Sequence, residues 1–174
     1  MLGLAYVVQT ILGQNDLAIG KDSVAFSLEQ TEEGLDLFRA DIKGLVQRYV
    51  ALTDAKRVTM KLESFGGTLC ERFHTDSVQL RLICTYAGPG TQWLANEDVD
   101  RHRLGLGAGG LSDEMSGLIR PGAAIGGLDR CAVGLMKGDK WPGNRDRGLV
   151  HRSPRITGTA TRRLLLKIEG ASGF

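Results

Sequence analysis

The stretch Arg72–Tyr86, RFHTDSVQLRLICTY, decides how the rest of the chain is read. Much of it alternates polar and apolar residues with a period of two, as a β-strand does when its two faces meet different surroundings. Residues two apart on a strand project to one face, so His74 and Asp76 leave the backbone side by side. The pair reads in two ways. Imidazole and carboxylate can hold one cation between them, or they can form a hydrogen-bonded, solvated edge.

Working outward, the runs RVTMKLES (57–64), CERFHTD (70–76), VQLRLICTY (78–86), RCAVGLMKG (130–138) and RRLLLKIE (162–169) are all short and strand-like. Glycine, proline or polar turns bound them, at intervals typical of an all-β sandwich or barrel. Residues 101–127, rich in glycine with scattered leucines, read as loops with one or two short strands. Toward the N-terminus the period lengthens. Leu35, Phe38, Ile42, Leu45, Val46, Tyr49 and Val50 recur at steps of three and four, which predicts an amphipathic helix between Glu29 and Leu52. Thr31 is its expected cap, and the acidic first turn suits the positive end of the helix dipole. Val7, Val8, Ile11 and Leu12 predict a further short helix ending near Gly13. The expected organisation is one domain over 1–174: a helical segment (1–55) packed on one sheet of a mainly β (α+β) core (56–170).

Composition narrows the class. Of 174 residues, 24 are glycine, about twice the usual share of ~7%, which favours a turn-rich β architecture over a helical bundle. The net charge of +2 is too small to imply nucleic-acid or membrane binding by itself. Three cysteines (Cys70, Cys84 and Cys131) at irregular spacing, with no CxxC pair, suit a reducing cytosol rather than a disulfide framework. The apolar first twenty residues carry no basic n-region and are interrupted by Gln9, Gln14, Asn15 and Asp16. The expected location is cytoplasmic, without a membrane partner.

Only three histidines occur: His74, His102 and His151. His102 lies among charged residues in DVDRHRLG and reads as a surface residue. His151, in GLVHRSP, can join His74 and Asp76 in a two-histidine, one-carboxylate set. Neutral imidazoles suit Fe(II), one carboxylate trims its charge, and the remaining positions stay open. A zinc set of Cys70, His74 and Asp76 is the competing arrangement, although an unpaired cysteine is more often simply packed. GPGT (88–91) lacks the rest of a phosphate-binding motif and reads as a turn.

The order HTD, RLICTYAGPGTQWL, LMKGDKWPG, VHRSPRITGTATRRLLLKIE resembles the double-stranded β-helix, or jelly-roll, core of the Fe(II)/2-oxoglutarate dioxygenase superfamily. The resemblance implies a metal held by His74, Asp76 and His151, with 2-oxoglutarate as cosubstrate. It also implies a basic residue past the distal histidine that grips the far carboxylate. Arg162 is the first match and Arg163 the second, and strand alternation puts them on opposite faces. Arg81 and Tyr86 are further cosubstrate candidates, again of opposite parity. More closely, FHTDSVQLRLICTYAGPGTQWL, KGDKWPGNRDRGLVHRSP and RRLLL resemble a bacterial family classed as a domain of unknown function. Some relatives in that family are associated with zinc-homeostasis genes.

The expected function is an Fe(II)- and 2-oxoglutarate-dependent dioxygenase, hydroxylase-like, acting on a small-molecule or protein substrate. A nucleic-acid dealkylase is a narrower variant. The alternatives are a non-catalytic, cupin-like metal-binding or metal-sensing protein in which zinc takes the same ligands, and a scaffold in which His74 and Asp76 merely hydrogen-bond.

Overall fold

The computed structural model describes residues 32–156 and 162–170. The expected helix before Gly13 and the cap at Thr31 lie outside the described residues. What is described is mainly β: two antiparallel sheets and one α-helix.

Helix α1 (Glu32–Thr53) covers 22 residues and opens on Glu32 and Glu33. It buries Ile42, Leu45 and Tyr49, the centre of the three-and-four stripe. Asp54 ends it in the left-handed region (φ 51°), with its N–H donating to Val50 C=O at 2.8 Å.

The larger sheet contains β1 (Val58–Gly66), β2 (Leu80–Ala87), β5 (Val133–Lys137) and β7 (Arg162–Gly170), in the order β1-β7-β2-β5. The smaller sheet contains β3 (Gln92–Leu94), β4 (Ile125–Gly127) and β6 (Val150–Arg152), in the order β4-β3-β6. Period-two alternation splits the larger sheet into two faces. Leu80, Leu82, Cys84, Met60, Leu166 and Ile168 pack on α1 and form the main core. The opposite face carries Arg81, Ile83, Arg163, Leu165 and Lys167, which line a cavity shared with the smaller sheet. The smaller sheet turns its other face to a second core of Phe73, Leu94, Val99, Leu118 and Val150. The segment after β3 supplies part of that core through the 3₁₀ turns Asn96–Asp98, Arg101–Arg103 and Gly105–Ala108 and the chain beyond them.

Two expectations change. The run 70–76 is not a full strand: His74 alone pairs, and β2 begins only at Leu80. Strand β3 is not expected from the sequence, and β6 only as a strand carrying His151 without bounds, because three residues are too few to show a period. At Gly90 the GPGT turn passes so close to Leu128 C=O that a Cβ there would sit 1.7 Å away, which is why glycine occupies it.

Tyr49 ties the helix to the sheet. Its hydroxyl donates to Leu80 C=O at 2.9 Å and accepts from Gly170 N–H at 2.8 Å. Tyr49→Phe strands two backbone groups and is expected to destabilise by about 1–3 kcal/mol, read as a lower denaturant midpoint at unchanged slope.

Cys84 is buried in the same core, and burial above all pushes its thiol up to about 11. Cys70 and Cys131 are exposed. A thiol reagent should therefore modify those two in the native protein and Cys84 only after unfolding. The unfolded thiol loses its proton first, so Cys84 opposes folding increasingly as pH rises from the ordinary thiol range toward 11.

Candidate metal centre

His74 and His151 meet through the backbone. Each N–H donates to the other's C=O at 3.0 Å, a single antiparallel bridge that extends the smaller sheet past β6. Directly opposed residues of such a pair carry their side chains on one face. The two rings accordingly stand 4.5 Å apart, centroid to centroid. Asp76 follows two residues after His74, and one ligand-type atom from each of the three lies within 4.8 Å of the others. Among the described residues no other three histidine, cysteine or acidic side chains cluster in this way. Cys70 is not part of it.

Each ring is oriented by the same contact. His74 Nδ1 lies 2.9 Å from Arg72 C=O, and His151 Nδ1 lies 3.0 Å from Leu149 C=O. A carbonyl only accepts, so each Nδ1 carries a proton and each ring turns its Nε2 edge toward Asp76. Burial lowers the His151 pKa below its ordinary value, outweighing the attraction of Asp76, so this ring is neutral at pH 7. His151 Nε2 lies 3.3 Å from Asp76 Oδ2, and His74 Nε2 lies 4.0 Å from Oδ1. Two Nε2 atoms and a carboxylate thus converge on one point. Asp76 Oδ2 is buried without a hydrogen-bond partner, although Arg81 Nη1 stands 2.6 Å away outside hydrogen-bonding alignment. Three acceptors facing one another fit a divalent cation, and Nδ1–H bonded to a carbonyl is the usual outer contact of a ligating histidine.

The backbone around the trio is tied from both sides. Asp139, in the KGD turn, accepts from Thr75 Oγ1 at 2.5 Å and from Gly148 N–H at 2.8 Å, while its own N–H donates to Asp76 C=O at 2.9 Å. It links the segment carrying one histidine to the strand carrying the other. Gly138 permits this, since a Cβ there would meet Val78 C=O at 2.2 Å. On the other side, buried Asp113 accepts from Phe73 N–H at 2.7 Å and from Arg152 Nη1 at 3.3 Å, and the Arg152 guanidinium lies over the Phe73 ring.

Both histidines line the cavity between the sheets, which holds about 460 Å³ of empty space including its open mouth. Of the two arginines proposed from spacing, Arg162 is exposed and does not line this cavity, whereas Arg163 lines it and is only 1% exposed. Of the two, only Arg163 is placed to meet a ligand in this cavity. Arg81 lines the cavity too. Tyr86 does not: it shares the parity of Leu82 and Cys84 and packs on the helix side, where its hydroxyl donates to Asp41 at 2.5 Å.

Arg163 hydrogen-bonds only hydroxyls, donating to Ser153 Oγ (3.1 Å), Thr85 Oγ1 (3.0 Å) and Thr91 Oγ1 (2.5 Å), with Nε unpartnered and the guanidinium 5.9 Å over the Phe65 ring. Every other cation of the cavity has an acid: Arg81 has Asp76 and Glu169, Arg152 has Asp113 and Glu114, and Lys167 has Glu63. Arg163 has none among the described residues. Burial alone pushes its pKa down to about 10, so it remains a cation at neutral pH, desolvated and uncompensated.

Sequence reading missed the hydroxyls Thr85, Thr91 and Ser153, and the acids Asp113, Asp139 and Glu169. Parity offered a signal for Thr85 and Glu169, which share faces with Arg81 and Arg163. Nothing local marks Asp113 or Ser153.

The family comparison spans almost the whole chain: the model of DUF1826, described as a protein of unknown function, matches residues 11–169. The chain belongs to the DUF1826 family. No curated protein and no solved structure matches it. For this DUF1826 chain, function must be argued from the site.

An uncompensated buried cation opposes folding. Arg163→Met is expected to stabilise the fold by about 1–2 kcal/mol, seen as a raised denaturant midpoint. A fall in the midpoint instead would mean that the hydroxyl contacts outweigh the desolvation.

Proposed function

We propose that this DUF1826 chain is an Fe(II)- and 2-oxoglutarate-dependent oxygenase, with its two sheets forming a jelly-roll core around the cavity. One observation carries the reading. His74 and His151, two of the three converging metal-type ligands, line the same cavity as a buried arginine that has no acidic partner among the described residues. A bidentate acid whose far end is a second carboxylate satisfies both features.

His74, Asp76 and His151 are the residues that would hold the metal. Iron bound there, with 2-oxoglutarate and O₂, supplies oxidation of a substrate C–H bond to C–OH as the cosubstrate is converted to succinate and CO₂. The chain's residues do the rest. Nδ1–H bonds to Arg72 and Leu149 carbonyls keep both imidazoles aimed, with Nε2 toward Asp76. Arg163 offers a planar fork to the distal carboxylate, where a bidentate charge-assisted pair is strongest because the site is dry. Thr85, Thr91 and Ser153 hold that fork in place before the acid arrives. Phe65, Ile83, Met136 and Leu165 supply the apolar wall that excludes water from the reacting centre.

The test is anaerobic reconstitution of the tag-free protein with Fe(II), followed by 2-oxoglutarate. A visible charge-transfer band should appear, and air should then yield succinate. Asp76→Ala should lose both signals. Arg163→Met should keep Fe(II) affinity but require at least about tenfold more 2-oxoglutarate, in line with losing a charged, buried hydrogen-bond pair, while Arg162→Met changes neither. Tight zinc binding with no band and no succinate would instead establish the non-catalytic metal-binding alternative.

A further inference from the structure

Arg81 makes a contact that a simple three-ligand site does not require. Its Nε and Nη2 both donate to Glu169 Oε2, at 3.0 and 2.6 Å, which fixes the guanidinium plane across the β2–β7 pair. The remaining Nη1 stands 2.6 Å from Asp76 Oδ2, the carboxylate oxygen that faces His151. We propose that Arg81, clamped by Glu169, is a built-in competitor of the metal. It holds Asp76 while no ion is bound and keeps divalent affinity low enough for the ion to exchange. The inference rests on the metal-centre reading above.

Two roles are conceivable for a cation beside a ligating carboxylate, and the geometry separates them. A supporting residue orients the ligand through a directed hydrogen bond, and losing such a bond commonly lowers metal affinity by about 10–100-fold. Arg81 spends Nε and Nη2 on Glu169 and meets Asp76 through Nη1 alone, on Oδ2, the oxygen that faces His151. It therefore occupies the oxygen a metal would use instead of aiming that oxygen at one. Its charge sits on the oxygen turned toward the ligand centre, where a dication would be repelled by it and would have to share the carboxylate with it. A guanidinium does not lose its proton, so the competition persists across the physiological range. Glu169 offsets part of the charge, and orientation of Asp76 is supplied elsewhere, by Asp139 N–H on the Asp76 carbonyl at 2.9 Å.

Opposite signs follow for the two members of the pair. Metal-stripped, tag-free protein is titrated with Co(II) against a competing chelator and followed by the visible absorption of the bound ion. Arg81→Gln should bind Co(II) at least about tenfold more tightly than the parent chain, since it removes a positive charge next to a ligand. Glu169→Gln, which leaves the Arg81 charge unopposed, should bind about three- to tenfold more weakly. Arg81→Lys keeps the charge without the fork and should stay within about threefold of the parent. If Arg81→Gln and Glu169→Gln both weaken binding, Arg81 is a support and the proposal is overturned while the metal site stands. Should Arg81→Gln fail to fold, Glu169→Gln decides alone, and unchanged or tighter binding overturns the proposal. A parent chain that binds no Co(II) overturns the metal-centre reading and this one with it.

Discussion

The reciprocal backbone pair between His74 and His151 is the contact on which the site depends. Those two hydrogen bonds bring together residues 77 positions apart in sequence (151 − 74) and set their side chains on one face. Without them the imidazoles have no reason to be neighbours, since neither segment is regular for long: His74 pairs alone, and β6 is three residues. A bridge so short does not maintain itself. It is maintained by Asp139 on one side and by Asp113 with Arg152 on the other, each joining the His74 segment to the chain around His151. Two acids, buried Asp113 and half-buried Asp139, thus replace the missing length of strand.

The larger sheet supplies the opposite kind of stability. Its helix-facing side is a continuous apolar layer, with Leu82, Cys84, Leu166 and Ile168 at most 3% exposed against α1. Burial of that layer drives folding and needs no function to justify it. On the cavity side the same strands carry Arg81, Arg163 and Lys167. Alternation along β2 and β7 therefore separates the work of holding the protein together from the chemistry it presents. One register slip would exchange the two faces, and the apolar layer is what prevents the slip.

The architecture was legible where a period repeats. α1, β1, β2, β5 and β7 each extend over enough residues for a three-and-four or a two-residue rhythm to show, and each lies within a few residues of where that rhythm puts it. The small sheet was not legible. Its strands are three residues each and are held by pairing partners distant in sequence, which leave no local trace. The site divides along the same line. Parity correctly separates Arg81 from Tyr86 and Arg162 from Arg163, because that relation is local to a strand. Which member faces the cavity is decided by what packs on the sheet. α1 takes the face bearing Tyr86, so Arg163 and Arg81 are left to the cavity. Spacing from His151 could not supply that information, and it preferred the exposed arginine.

The cavity wall concentrates what folding alone would avoid. Three acceptor groups face one another around Asp76, and a desolvated guanidinium at Arg163 meets three hydroxyls and the Phe65 ring but no acid among the described residues. Each arrangement is unfavourable by itself, the first through lone-pair and charge repulsion, the second through lost hydration. Either could be relieved by a single substitution to an apolar residue. Their signs are opposite: the first is a sink for positive charge, the second for negative charge. Under the proposed reading, a dication would take over the Asp76 oxygen that Arg81 now meets, and a dicarboxylate would give Arg163 the acidic partner it lacks among the described residues.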